Sequence, residues 1–148
     1  MEALIIKEDI LIDRSVKEVW DALVNPQKTK QYMFNCEAVS DWEIGSPLLW
    51  NADVNGQATT FVSGIVRDVK PAYKLVFTTF DPHSTIKDIP ENHIPVTYTL
   101  RERAGKTFLT VMQGDFSKVV QGRKRYESTM ADGGWASVLA NLKKVVED

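Results

Sequence analysis

The sequence predicts an α+β fold in which a curved antiparallel β-sheet of about six to seven strands wraps around a long C-terminal α-helix. Apolar residues alternate along several segments that short turn signals join, and such joins are typical of antiparallel strands. An amphipathic stripe at helical spacing closes the chain. The 148 residues suffice for one domain with its own core, and we expect that domain to span residues 1–148.

The N-terminal segment predicts one strand followed by two short helices. Residues Leu4–Ile12 alternate, and their even-numbered positions form the apolar face. Ser15 and Glu18 fit a helix capping box, after which apolar residues recur at helical spacing. The Asn25-Pro26 pair ends this first helix and starts the second, because a residue before proline avoids helical angles and proline suits a first helical position.

The middle of the chain predicts a series of antiparallel strands. Asn55-Gly56 is a two-residue hairpin signal. The long polar segment Asp81–Pro95 interrupts the series, and we interpret it as either a solvated loop or a lid that gates a cavity. The predicted strands are Leu48–Val54, Gln57–Val69, Tyr73–Phe80, Val96–Arg101 and Thr107–Gly114.

The C-terminal segment predicts one continuous helix that begins near Arg123–Tyr126. It would continue through Gly133-Gly134, where each glycine costs about 1 kcal/mol relative to alanine. Because one helix is narrower than a strongly curved sheet, we expect a gap between them, and small ligands bind in such gaps. The apolar stripe of this helix consists of Trp135, Val138, Leu139, Leu142, Val145 and Val146.

Several short segments in a fixed order carry a family resemblance. They are Val19–Leu23 with Asn25-Pro26, Asp41–Gly45 leading into Leu48–Trp50, Lys74–Phe77, Val96–Leu100, and Gly134-Trp135 followed by Val138–Lys143. On these segments the chain resembles the helix-grip fold of the START/SRPBCC (Bet v 1-like) superfamily, and more closely its branch of activator-of-heat-shock-ATPase homologues. The resemblance implies a scaffold that ligand carriers, cyclases, hydrolases and co-chaperones share.

The primary functional hypothesis is binding of a small apolar or aromatic molecule between the sheet and the C-terminal helix. The Tyr98 hydroxyl and the Gln113 amide would orient a polar group of the ligand. Plain core packing is the alternative interpretation of the same large side chains. The predicted lining residues are Trp42, Trp50, Phe77, Tyr98, Gln113, Met130, Trp135 and Leu139.

A cyclase-like or hydrolase-like enzyme is the second hypothesis, with Glu8 or Tyr98 as general acid or base. Glu8 is an acid on the apolar face of the first predicted strand. A buried carboxylate without a partner would have a shifted pKa, which catalysis requires. A bend in the strand, an ion pair, or access to water at the sheet end would equally explain Glu8.

We predict no cofactor and no metal site. His83 and His93 share the long polar loop with three acids, but their spacing matches no known metal site. The single cysteine, Cys36, has no catalytic signature around it, excludes an internal disulfide and fits a reducing cytoplasm.

Charge and hydropathy exclude two classes of partner. The net charge is −2, so no basic excess favours nucleic acid. The longest apolar runs are too short to span a membrane, and the N-terminus lacks the pattern of a signal peptide, so we expect a cytoplasmic protein. A third functional hypothesis, a co-chaperone-like interaction module that contacts a chaperone, would use Phe108 and Met112 on the outward face, which also leave a homodimer open.

Overall fold

Seven antiparallel strands form one open sheet in the computed structural model, which describes residues 2–148. The strands lie in the order β1-β7-β6-β5-β4-β3-β2, so strands β2 to β7 lie beside their neighbours in the chain, and β1 lies beside β7. Both the α+β class and the predicted number of strands are confirmed. The strands are β1 (Ile6–Ile12), β2 (Glu37–Ser40), β3 (Pro47–Val54), β4 (Gln57–Lys70), β5 (Lys74–Thr79), β6 (Ile94–Arg103) and β7 (Lys106–Gln113).

Four α-helices occur within residues 2–148: α1 (Val16–Val24), α2 (Pro26–Tyr32), α3 (Gly122–Ala131) and α4 (Ala136–Glu147). The two predicted short helices are confirmed, with Ser15 as the cap of α1, where its hydroxyl accepts the Glu18 amide at 3.3 Å. Short 3₁₀ turns lie at Pro90–Asn92 and Phe116–Lys118.

The predicted continuous C-terminal helix is wrong, because the chain breaks it into α3 and α4 at Gly133-Gly134. Both glycines have positive φ, +97° and +58°, which a right-handed helix does not accommodate. The Gly134 amide donates to the Thr129 carbonyl at 3.0 Å, a bond that closes the end of α3. The helix that grips the sheet is therefore α4 alone, which begins directly after Trp135.

The main core lies between α1, α2, α4 and one face of the sheet, which we call the inner face. Buried inner-face residues from β3 to β7 pack against buried residues of α1 and α4. A second, smaller cluster of Ile6, Ile94 and Phe116 lies beneath α3, where Tyr126 packs against it. Trp135 packs against both clusters and so connects them.

The two edges of the sheet differ in their cover. The β2 edge is covered by α2, because the Thr29 hydroxyl of that helix accepts the Ala38 amide at 2.9 Å. This bond occupies a backbone donor that would otherwise face outward from an edge strand. The opposite edge is β1, which has β7 on one side only.

Gly64 marks a close approach of two backbones between β4 and β5. A Cβ atom added there would lie 1.7 Å from the Thr78 carbonyl oxygen and 2.6 Å from its carbon. Only glycine leaves room for this approach.

The Asp115 carboxylate joins the residues before β1 to the turn after β7, and we predict that it makes folding acid-sensitive. It accepts hydrogen bonds from the Leu4 amide at 2.9 Å and from the Ser117 amide and hydroxyl at 2.9 and 2.7 Å. These bonds, that from Leu4 first, hold the pKa of Asp115 below its usual value. A folded-state pKa below the unfolded one gives stability above the unfolded pKa that is lost as pH falls through the folded pKa.

Asp115→Asn removes this titration while keeping one acceptor oxygen, so the melting temperature of the variant should fall less steeply between about pH 5 and about pH 2. Asp53→Asn, a change at an exposed acid, serves as the control. If the melting temperature falls equally steeply with pH in the wild type and in Asp115→Asn, Asp115 is not the group that makes folding acid-sensitive.

Candidate ligand-binding site

Four aromatic side chains follow one another across the inner face, and we call them the aromatic row: Trp50, Phe77, Tyr98 and Trp135. The ring centroids are 6.0 Å apart from Trp50 to Phe77, 5.4 Å from Phe77 to Tyr98, and 5.8 Å from Tyr98 to Trp135. The Phe77–Tyr98 and Tyr98–Trp135 pairs are edge-to-face, a geometry that stabilises aromatic pairs beyond their buried area, and the Trp50–Phe77 pair is tilted by 47°. Strand alternation places the first three on one face, and the break before α4 places Trp135 over Tyr98.

Gln113 fixes the last ring of the aromatic row. The Trp135 indole nitrogen Nε1 donates a hydrogen bond of 2.9 Å to the Gln113 Oε1, and both residues are half-buried. The amide group of Gln113 keeps its two N–H donors for another partner. The indole and the amide therefore form a polar end to an otherwise apolar row.

Tyr98 carries a hydroxyl that bonds to none of the residues 2–148, although the residue is only 2% exposed. Every fully buried side-chain oxygen or nitrogen of these residues has a partner. Burial raises the pKa of Tyr98 well above its ordinary value. Tyr98 is thus a neutral hydrogen-bond donor and acceptor rather than a base.

Tyr32, in the same core, is a buried tyrosine whose hydroxyl has a hydrogen-bond partner. Its hydroxyl donates to the Ala22 carbonyl at 2.7 Å. That carbonyl lacks its ordinary helical donor, because the residue four positions later is Pro26, which has no amide hydrogen. Burial raises the pKa of Tyr32 as well, with nearby Tyr98 as a second cause.

The other predicted lining residues lie at different distances from the aromatic row. Leu139 is buried in the main core, and Trp42 is half-buried against it with a left-handed backbone at φ +57°. Met130 does not line the core, because the break at Gly133 places it on α3, where it is 49% exposed. The placement of Met130 in the site is therefore wrong.

Glu8 is exposed, which corrects its interpretation as a buried acid. It does lie on the inner-face side of β1, where Ile6 and Ile12 are buried and Ile10 is half-buried, but Glu8 itself is left uncovered. The hypothesis of an enzyme thereby loses its carboxylate. The outward-face residues also differ, since Phe108 is half-buried beneath the Arg103 guanidinium, 4.3 Å from the ring centroid, while Met112 is exposed.

Two cavities lie outside the aromatic row. One, of about 260 Å³, lies among charged residues of α1, Lys28 and Val146. The other, of about 340 Å³, lies on the outer face of the sheet and is lined by Pro47, Leu49, Ser63, Gly64, Ile65, Arg67, Asp88, Pro90 and His93. In this conformation the aromatic side chains themselves occupy the space between sheet and helices, where the sequence predicts a gap.

The predicted lid segment lies on the outer face instead of over an inner cavity. His93 bonds through Nδ1 to the Thr78 hydroxyl at 2.9 Å and through Nε2 to Asp88 at 2.6 Å, and its ring stacks on Phe80. Thr78 follows the inward-facing Phe77 in β5, so alternation points it outward. The part of the segment around Asp88 and His93 therefore does not cover the inner site.

His83, the other histidine of this segment, bonds to the Thr60 carbonyl at 2.8 Å. Within residues 2–148, no three side chains of histidine, cysteine, aspartate or glutamate converge as metal ligands would. Cys36 is buried, and burial raises the pKa of its thiol, which disfavours the reactive thiolate. None of the helices in the described part of the chain is long and apolar enough to cross a membrane.

The sheet order, the gripping helix and the aromatic inner face define a helix-grip protein of the START/SRPBCC class. The family model described as activator of Hsp90 ATPase homolog 1-like protein matches residues 13–147, and the chain belongs to this family. No curated protein matches the chain.

Solved structures share the fold along nearly the whole chain. The solution structure of ChR145 from Cytophaga hutchinsonii is 30% identical, with a TM-score of 0.73 and coverage of 99% of this chain and 97% of that one. The Aha1 dimer from Colwellia psychrerythraea is 17% identical, with a TM-score of 0.68 and coverage of 97% and 96%. DynU16, a putative protein in the dynemicin biosynthetic locus, is 19% identical, with a TM-score of 0.67 and coverage of 99% of this chain and 48% of that one.

Proposed function

We propose that this protein binds a small apolar or aromatic molecule at the aromatic row and acts as a cytoplasmic binding protein rather than an enzyme. The observation that carries the proposal is the Tyr98 side chain, which is 2% exposed in the aromatic row and whose hydroxyl bonds to none of the residues 2–148. A buried tyrosine ordinarily finds a partner, so a ligand carbonyl or hydroxyl would complete this one. The exposed position of Glu8 removes the strongest acid–base candidate from the inner face.

Entry of the ligand would displace Trp135 and α3, a helix whose residues are mostly exposed. Gly122 is the only buried residue of that helix. Its connection to α4 runs through Gly133 and Gly134, whose backbone angles are open to change. The low burial of α3 therefore supports a site that opens at the Trp135 end of the aromatic row.

Two measurements test the proposal directly. Native mass spectrometry of the protein isolated from its own host should reveal a bound small molecule. Titration with flavone, a planar aromatic ketone, should quench tryptophan fluorescence in the wild type and in Trp20→Phe but much less in Trp135→Phe, because Trp20 lies on α1 outside the row. A protein that carries no molecule and shows no saturable quenching would refute the proposal.

Tyr98→Phe is expected to weaken flavone binding about tenfold, the effect of one lost hydrogen bond of ~1.4 kcal/mol, while leaving stability nearly unchanged. Tyr32→Phe is the matched control. It removes the hydroxyl that donates to the Ala22 carbonyl and should lower the free energy of unfolding by about 1–3 kcal/mol with affinity intact. Fluorescence titration and urea unfolding measure both quantities. Equal affinities of Tyr98→Phe and the wild type would argue against the role of the hydroxyl.

A further inference from the structure

The β1 edge carries backbone groups that no strand within residues 2–148 satisfies. The Gly114 amide donates to the Pro95 carbonyl of β6. The backbone amides and carbonyls of the even-numbered residues of β7 therefore point toward β6, and those of the odd-numbered residues point toward β1. The partners of those odd residues on β1 are its even-numbered positions. The amides and carbonyls of Lys7, Asp9 and Leu11 therefore point away from the sheet.

Two hydrogen bonds agree with this parity. The Leu4 carbonyl, at an even position, accepts the Phe116 amide on the β7 side. The Leu11 carbonyl, at an odd position, accepts the Lys143 ammonium at 3.0 Å from outside the sheet. The backbone groups of Lys7 and Asp9 lie between these points on an open edge.

The outer-face side chains along this edge are self-complementary in charge and in hydrophobicity. Ile5 and Leu11, each 43% exposed, flank the exposed cation Lys7 and the exposed anion Asp9 on the outer face. Read from either end, an apolar residue is followed by one charge and then by its opposite. An antiparallel second copy therefore presents opposite charges to this edge.

We propose that two copies of this chain associate by antiparallel pairing of their β1 strands, with Lys7 of each copy opposite Asp9 of the other. In this register the side chains of Ile5 and Leu11 also lie opposite each other, while the Leu11 carbonyl stays bonded to Lys143, and the twofold axis passes through Glu8. A shift by one strand repeat in either direction would oppose Lys7 with Lys7 or Asp9 with Asp9. Directly opposed like charges destabilise a strand pair, so the side chains select one register.

The inner-face side of the same pairing explains why the association should be weak. Ile6 of one copy would lie opposite Ile10 of the other, which is favourable. The two Glu8 carboxylates would face each other at the axis, which is unfavourable. A single shared strand pair also buries less surface than a standard stable interface of about 1,600 Å².

Sedimentation-velocity ultracentrifugation over a concentration series tests the pairing through charge reversal. Lys7→Glu and Asp9→Lys should each raise the dimer dissociation constant at least about tenfold, because each creates two like-charge pairs. The double variant K7E/D9K restores both opposite pairs and should return to near the wild-type constant. Glu8→Gln should tighten the dimer severalfold, since it removes the repulsion at the axis.

Lys106→Glu, at an exposed lysine outside β1, is the matched control and should leave the constant unchanged. Circular dichroism checks that every variant is folded. A wild type that stays monomeric at all concentrations would overturn the proposal. So would a dimer whose dissociation constant is the same in the wild type, the single variants and the double variant. Neither outcome depends on whether the aromatic row binds a ligand.

Discussion

Gly64→Ala should lower the free energy of unfolding by about 3 kcal/mol or more, measured by urea denaturation. The new Cβ would meet the Thr78 carbonyl oxygen at 1.7 Å, well inside any van der Waals contact. A strand backbone cannot rotate away as a flexible side chain does, so β4 and β5 must separate locally. Thr78 also accepts the Ile65 amide and bonds to His93, and that separation would strain both bonds.

Gly56→Ala tests the second reason for which a position requires glycine, a positive φ angle. Its Cβ would enter open space, but the backbone there has φ +83°, which disfavours alanine. We expect a cost of about 1–2 kcal/mol from conformation alone. A loss for Gly64→Ala no larger than that of Gly56→Ala would contradict the close approach of β4 and β5.

Phe77→Ala should destabilise the protein by about 3–5 kcal/mol, because it removes a ring that is 1% exposed from the middle of the aromatic row. The space it leaves lies between Trp50 and Tyr98 and is lined by apolar atoms. Apolar cavities of this kind stay dry and accept small aromatic molecules, so benzene should raise the melting temperature of the variant but not of the wild type.

Phe61→Ala provides the comparison for that variant. Phe61 is 43% exposed, so its truncation should cost less than about 1 kcal/mol and create no site for benzene. Thermal melts followed by circular dichroism, with and without benzene, measure both effects. Equal losses of stability for Phe61→Ala and Phe77→Ala would mean that the aromatic row does not organise the core.

Alternation along the strands was sufficient to predict most of the sheet and much of the inner face. Phe77 and Tyr98 are inward because each sits at the correct parity in a strand with clear period-2 pattern. Ser15 and Asn25 could be identified as caps because their side chains act on neighbouring amides, a local effect. Such features need only a few residues of sequence to specify them.

Features that depend on packing against elements far away in the sequence could not be predicted in the same way. Parity places Glu8 on the inner-face side, but whether a helix covers that position depends on where α3 and α4 pack. Gly133-Gly134 is compatible with a weakened helix or with a break, and only the packing of Trp135 against Gln113 and Tyr98 decides for the break. The parity of Thr78 places its bond to His93 on the outer face, but a loop as long as 81–93 carries no pattern that predicts which face it will follow.

The hydroxyl of Thr29 has a consequence for how far assembly can proceed. A sheet open at both borders can add copy after copy and polymerise into a fibre. Here α2 occupies the Ala38 amide on the β2 border, whereas on the β1 border the outward backbone groups of Lys7 and Asp9 remain available to another strand. Once two β1 borders have met, the joined sheet ends at a covered border on both sides, and growth terminates at a closed pair.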